Sequence, residues 1–332
     1  MNRLTLCLIV MLLVTGCAAT RTSDTNAKSD QAFSFALIGD MPYADVDIPR
    51  FRQMTQEINA DAAVEWVLHV GDIKTGGSSC SDEFLAGRLD LFQQFRQPFI
   101  FVPGDNEWTD CHRATAGGFQ PLERLAKLRT LFYPTAGQSL GKTKLALTTQ
   151  ASNPAYATYP EHTRWIRANV VFAALHIVGS QNGMASFAGR TTADDEEAAA
   201  RMEAAIVWMR DAFAEARQLD SPGIFLTLHA NPGFSDAAVS QAFTSFLAAL
   251  EEETIRFGRP VLLAHGDSHY FRIDKPLVGI QSKRRIENFT RVEVFGAGDV
   301  HWLRITVDPE DVNVFDIRQE IVQENRIQHI RP

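Results

Sequence analysis

Three apolar runs in this chain stop at the same pair of residues. FALIGD ends at Asp40, VLHVGD at Asp72 and IFVPGD at Asp105. Short apolar runs bounded by glycine read as buried strands. Two later runs end in histidine, IFLTLH at His229 and VLLAHGDSH at His269. Carboxylates and imidazoles at the C-terminal ends of strands gather oxygen and nitrogen donors at one sheet edge. Those are the donors that a water-activating divalent cation takes. One Gly-Asp after a strand is often only a turn or a helix cap. Five strand ends of this kind in one chain call for more than turn chemistry.

The order of patterns constrains the fold further. Residues 33–39, 64–70 and 98–102 read as strands, and each leads through a loop into a helical pattern at 48–58, 82–95 and 119–132. Ser81 is placed to cap the second helix. Strand, loop and helix repeated three times predict parallel βαβ units, with all three loops at one edge. The middle of the chain changes character. Residues 143–149 and 165–178 read as strands with no helix between them, which predicts antiparallel pairing in a second sheet or at an edge. Residues 192–219 form the clearest helical pattern. Asp194, Asp195, Glu196 and Glu197 lie at its positive end, and Met202, Ala205, Ile206, Met209 and Phe213 share a face. A strand at 224–229, a helix at 237–257, a strand at 261–264 and terminal strands beginning at 291, 302 and 312 complete the reading. With no internal repeat and no linker, residues 32–332 are expected to form a single mixed α/β domain.

At 332 residues and 45% hydrophobic composition the chain can bury a large core. Its formal net charge of −8 argues against a nucleic-acid backbone as a partner. It leaves room for a phosphorylated small molecule, because bound cations reverse the local field. Arg3 precedes an apolar run, Leu4 to Val14, too short to span about 30 Å of hydrocarbon. This is the pattern of a secretory signal over residues 1–16. Val14-Thr15-Gly16-Cys17 resembles a bacterial lipobox, which implies cleavage before Cys17 and lipidation there; a plain signal peptide cleaved near Ala18–Ala19 and a buried helix are the alternatives. Ala18 after that cysteine implies sorting to the outer membrane, facing the periplasm. Residues 17–31 are then the lipidated cysteine and a flexible polar tether. Beyond the leader only Cys80 and Cys111 remain. An exported chain with one pair favours a disulfide, the alternative being two separate thiols.

In kind and order these blocks resemble the calcineurin-like metallophosphoesterase superfamily, over residues 33–306. That superfamily runs Asp-x-His, Gly-Asp, Gly-Asn-His-Glu/Asp, a lone His, then Gly-His-x-His. Here the blocks read Asp40-Met41-Pro42, Gly71-Asp72, Gly104-Asp105-Asn106-Glu107, His229 and Gly266-Asp267-Ser268-His269. The resemblance implies a four-layer αββα sandwich of two mixed sheets. It also implies two divalent ions, Mn, Zn, Fe or Co, and phosphoester hydrolysis by a metal-bound hydroxide. Carried onto these positions, Asp40 and His269 would hold the first ion, Asp72 would bridge, and Asp105, His229 and Asp267 would hold the second. The chain departs from the pattern at Pro42, at Asp105-Asn106 and at Asp267. Two of these changes introduce carboxylates, which still bind hard cations. Asn106 stands where a substrate-facing histidine is usual. It can hydrogen-bond a phosphate oxygen but cannot donate a proton at neutral pH, so His112 becomes a candidate for the leaving group.

Several neighbours have two readings each. Purple acid phosphatases, in the same superfamily, place a tyrosinate on ferric iron, and Tyr43 lies three residues after Asp40. It is either such a ligand or a buried or substrate-facing tyrosine. Lys74 and Arg113 follow two of the rims and either bind phosphate or are solvated. Asn182, in the 179–183 loop, either faces the site or serves a turn. Trp108 either walls the pocket or packs in the core. His69 and His265 read as structural, His176 and His301 as second-tier candidates, and His162 and His329 as surface residues. Against the enzyme stands a non-catalytic metal- or ligand-binding lipoprotein that keeps the fold.

Overall fold

The computed structural model of the chain describes residues 31–234 and 236–327. The expected signal peptide, Cys17, nearly all of the expected tether and His329 lie outside the described residues. The strands in chain order are β1 (Phe33–Ile38), β2 (Val64–His69), β3 (Phe99–Phe101), β4 (Thr148–Thr149), β5 (Thr163–Arg167) and β6 (Val170–Ala174). They continue with β7 (Ile224–Thr227), β8 (Val261–His265), β9 (Arg272–Asp274), β10 (Phe289–Glu293), β11 (Trp302–Val307) and β12 (Phe315–Glu320). One sheet has the order β12-β11-β1-β2-β3 and the other β4-β5-β6-β7-β8-β10-β9. In the first, β1, β2 and β3 are parallel and β11 and β12 antiparallel. In the second, β6, β7, β8 and β10 are parallel, with β4, β5 and β9 antiparallel at the edges.

Alternation along the strands sorts side chains between layers. In β1, Phe35 and Leu37 point between the sheets, where they meet Leu68, Phe172, Phe225 and Leu262. Ala36 and Ile38 point outward, against Phe51, Met54 and Ile58 of the helix Ile48–Ala60. Helices Asp82–Phe92 and Pro121–Phe132 pack on the same outer face through Phe92, Leu125, Leu128 and Phe132. The second sheet buries Val171, Ala173, Leu226 and Leu263 under the helices Thr192–Gln218 and Thr244–Phe257. Four layers result, two mixed sheets between two layers of helix, as the resemblance implied. The inner layer is aromatic: Phe35 stacks on Trp66 at 5.0 Å and meets Phe225 edge-on at 5.2 Å. Among the described residues no helix is long and apolar enough to cross a membrane.

Local chemistry sets the helix ends. Ser81 Oγ accepts from Phe84 N at 3.2 Å, as the sequence predicts. Thr191 and Asp194 form a capping box at the start of the longest helix. Four elements differ from the sequence reading. The 165–178 run is broken by Ala168 and Asn169, both left-handed, which turn β5 back onto β6. Of 143–149 only β4 is extended. The 237–257 helix is interrupted by a 3₁₀ turn over Gln241–Phe243. β9 carries too few apolar residues to be seen in the sequence: Arg272, Ile273 and Asp274 pair with the end of β10.

Candidate metal centre

The loops leaving β1, β2 and β3 meet those leaving β7 and β8 at one rim. Asp40, Asp72 and His269 place ligand atoms within 4.8 Å of one another, and Asp72, Asp105 and His229 do the same. Asp72 belongs to both groups. His229 Nε2 lies 3.1 Å from Asp105 Oδ1 and 3.4 Å from Asp72 Oδ1, and His269 Nε2 lies 3.5 Å from Asp40 Oδ1. His229 Nδ1 bonds to Val70 O at 2.7 Å, which turns Nε2 toward the carboxylates. Asp267 stands at the edge. Its Oδ1 is 3.9 Å from His229 Nε2, and its backbone N–H donates to Asp40 Oδ1 at 3.1 Å.

The glycines of the Gly-Asp pairs follow from this crowding. A Cβ on Gly104 would lie 2.2 Å from Asp72 Oδ1, and one on Gly266 would lie 2.2 Å from Asp40 Oδ2. Asp40, Asp72, Asp267 and His269 all have φ between 55° and 80°. Four rim residues thus occupy the left-handed region that non-glycine residues rarely adopt.

Charge is strongly unbalanced here. Burial, reinforced by Asp105, Glu107 and Asp40, pushes Asp72 well above the ordinary carboxylate range. Burial also raises Asp267 to about 6. Although burial opposes it, the negative charge of Asp72, Asp105, Asp267 and Asp40 lifts His229 well above an ordinary imidazole. The hydrogen bond to Asp40 raises His269. Burial, then Asp72 and Asp40, drives the Tyr43 phenol far upward. Crowded negative charge favours the protonated forms of all these groups, and burial does so for the acids. Carboxylate and imidazole donors in two trios, sharing one carboxylate, fit two divalent cations.

The other residues named from the sequence divide. Tyr43 enters the first trio: its hydroxyl donates to Asp72 Oδ2 at 2.9 Å and lies 2.7 Å from His269 Nε2. Asn106 also lies at the centre, but its side chain is committed to protein. Nδ2 donates to Asp72 Oδ2 and, at 3.0 Å, to Lys74 O, while its backbone N–H donates to Asp72 Oδ1. Lys74 is not a rim cation. It is fully buried, with Nζ on Thr75 O at 2.8 Å and Asn106 O at 2.7 Å. Arg113 is half exposed and pairs with Asp110 at 2.7 Å. Asn182 turns away from the trios, with Oδ1 accepting from Arg201 at 2.6 Å. His112 stacks on Phe187 at 4.3 Å and bonds Thr109 O, lining a hollow with Asp110 and Ser180. Trp108 is buried beneath Arg201. Cys80 and Cys111 are joined in a disulfide, each Sγ 3.8 Å from Asn106 O.

His69 and His265 are buried, as expected. So are His176, on Glu161 at 2.8 Å, and His301, beside Phe295. His162 is a correction: it is wholly buried against Gln150 rather than at the surface. Ser180, Glu107 and Asn231 were missed. Ser180 Oγ donates to Asp105 Oδ2 at 2.7 Å, Glu107 Oε1 accepts from Gly104 N at 2.5 Å, and Asn231 N donates to Asp267 Oδ2 at 2.9 Å. Glu107, two residues past Asp105 in the third block, was the one of these with a signal in the sequence.

The model of the calcineurin-like phosphoesterase family matches residues 33–271. No curated protein matches the chain. Among solved structures, one titled "Structure of PhoD" is similar at 10% identity with a TM-score of 0.51, covering 88% of this chain and 69% of that one. Another, "GAP50 the anchor in the inner membrane complex of Plasmodium", has 12% identity and a TM-score of 0.46, covering 88% and 89%.

Proposed function

The chain belongs to the calcineurin-like phosphoesterase family, and on that premise we propose that it is a metal-dependent hydrolase of phosphoesters. One observation carries the reading: two trios of donors share Asp72. Asp40 and His269 would complete the first ion's shell, and Asp105 and His229 the second's, with Asp267 beside them. When bound, the ions supply Lewis acidity and an acidified water for attack at phosphorus. The protein's part is orientation. Asn106 holds both oxygens of Asp72, and Lys74 fixes the backbone of Asn106 from below. The rim opens where the side chains of His269 and Asp267 are 36% and 29% exposed, so substrate would enter on that side. Arg113, half exposed and paired with Asp110, is the cation proposed to meet a phosphate. His112, in the neighbouring hollow, is the group proposed for leaving-group protonation.

Chelator-stripped protein, reloaded in turn with Mn, Zn, Fe, Co and Ca, should hydrolyse aryl phosphate mono- or diesters with at least one metal. Asp72→Asn should lower kcat/KM by about a thousandfold or more. A protein that binds the ions yet shows no turnover with any of them is a metal-binding relative, not an enzyme. The position of the Tyr43 hydroxyl between Asp72 and His269 favours a second reading, a ferric site like that of the purple acid phosphatases. Iron-loaded protein would then show a visible tyrosinate band that Tyr43→Phe abolishes, and its absence from the parent protein removes this reading.

We further propose export and lipid anchoring, supported by the Leu4–Val14 run and Cys17 and consistent with the Cys80–Cys111 disulfide. Mass spectrometry of the cell-derived protein should find residues 1–16 absent and Cys17 acylated. An intact leader on the mature protein would refute this.

A further inference from the structure

Residues 180–182 take an unusual path. Ser180, Gln181 and Asn182 have φ of 50°, 58° and 59°, and Gly183 continues in the left-handed region at 76°. Only glycine visits that region freely, and three other residues in succession do not hold it unaided. Backbone bonds from Gly183 N to Gly179 O and from Ala185 N to Ser180 O, and Arg190 on Gly183 O, close the turn, and its Asn182 end is held by Arg201, a fully buried residue of the helix Thr192–Gln218. Its Nη1 donates to Asn182 Oδ1 at 2.6 Å and to His176 O at 3.2 Å, and its Nη2 donates to Asn182 O at 2.9 Å. Nε is satisfied by Glu197 at 2.9 Å, and the guanidinium lies over the Trp108 ring at 5.1 Å. Every face of Arg201 is engaged, and both loop contacts fall on one residue.

The left-handed turn ends at the metal rim. Ser180 Oγ donates to Asp105 Oδ2 at 2.7 Å and lies 3.2 Å from Asp110 Oδ1. Asp105 presents its other oxygen, Oδ1, to His229 Nε2 at 3.1 Å. A Cβ on Gly179 would fall 2.7 Å from both Asp105 Oδ1 and Asp267 Oδ1, so the loop backbone lies against the same two carboxylates. With one oxygen held by a hydroxyl, the other is left facing the site.

We propose that Arg201 and Ser180 are positioning residues for the second cation: Arg201 locks 180–182 in the left-handed turn, and the turn's hydroxyl aims Asp105. The inference rests on the reading of Asp105 as a metal ligand, and its test separates the two. Calorimetric titration of the chelator-stripped, full-length mature protein with Mn alone should show two sites. Asp105→Asn should abolish the second and leave the first. Ser180→Ala and Ser180→Gly should each weaken the second site by about ten- to a hundredfold and spare the first. The glycine variant should also melt above the alanine variant, because it adopts the left-handed conformation freely. Arg201→Lys, which cannot span Asn182 O, Asn182 Oδ1 and His176 O together, should weaken the same site. If two sites are seen and both Ser180 variants bind them with parental affinity, the positioning role is refuted. If the parent protein binds none of Mn, Zn, Fe or Co in the same titration, the metal reading itself fails.

Discussion

Asp40, Asp72, Asp267 and His269 sit at positive φ, and each such residue costs on the order of 1–3 kcal/mol in backbone free energy. Strain at these positions is tolerated because it lets a strand end turn its side chain directly into the rim. Glycine beside the aspartates serves another need, the passage of neighbouring loops at van der Waals distance. Gly104→Ala would place a methyl 2.2 Å from Asp72 Oδ1 and 2.4 Å from its N. Overpacking of this kind should destabilise by about 1–3 kcal/mol, and Mn affinity should fall with it; urea denaturation and calorimetry measure both. His162 offers a test away from the rim. Burial brings it down to about 3, the nearby Glu161 charge opposing and His176 and Arg201 adding to the depression. Its folded pKa lies below the unfolded value of about 6.5, so its contribution is complete above pH 6.5 and is lost as pH falls from there toward 3. His162→Gln should flatten the decline of the unfolding free energy from urea titrations between pH 6.5 and 4, by up to about 1.4 kcal/mol per pH unit. At this scale the rim residues were legible because each closes an apolar run. Ser180 was not, because its bond to Asp105 spans 75 residues and leaves no local pattern. Lys74 misled because a sequence displays a charge and conceals its burial.

Elements were legible where one face is apolar and the ends are marked. Ser81 and the acidic start at Thr192–Gln218 located two helices within a few residues. Tertiary context decided the rest. β9 pairs through its backbone with β10 and needs no apolar pattern. The Ala168-Asn169 turn lacks the glycine that would have announced a hairpin. The loops that follow β2 and β3 are further joined by the Cys80–Cys111 disulfide, across a sequence separation of 31. Constraining a loop of that length in the unfolded chain is worth about 3–4 kcal/mol. The Cys80→Ser, Cys111→Ser double variant should unfold at correspondingly lower urea. Both sulfurs also lie against Asn106 O, so metal affinity should drop as well, by calorimetry on folded variant protein.

The whole molecule divides the site between its two sheets. Asp40, Asp72 and Asp105 follow strands of one; His229 and His269 follow strands of the other. Each trio contains members of both, so ions bound there join the sheets. Ligand that binds only the folded state stabilises by about 2.7 kcal/mol at a hundred times its dissociation constant. Mn should therefore raise the Tm of stripped protein by several degrees, and Asp72→Asn should remove most of that rise in a thermal scan. The sandwich core contributes no donor atom, yet it sets the spacing of all of them. Phe35, Trp66, Phe172 and Phe225 interlock across the gap, and the rim inherits whatever offset their packing allows. A substitution there that slid one sheet along the other by the width of a methyl group would leave two intact sheets and a broken constellation. Damage to the middle of this protein should thus be recognised first as a chain that folds, survives and no longer holds its ions.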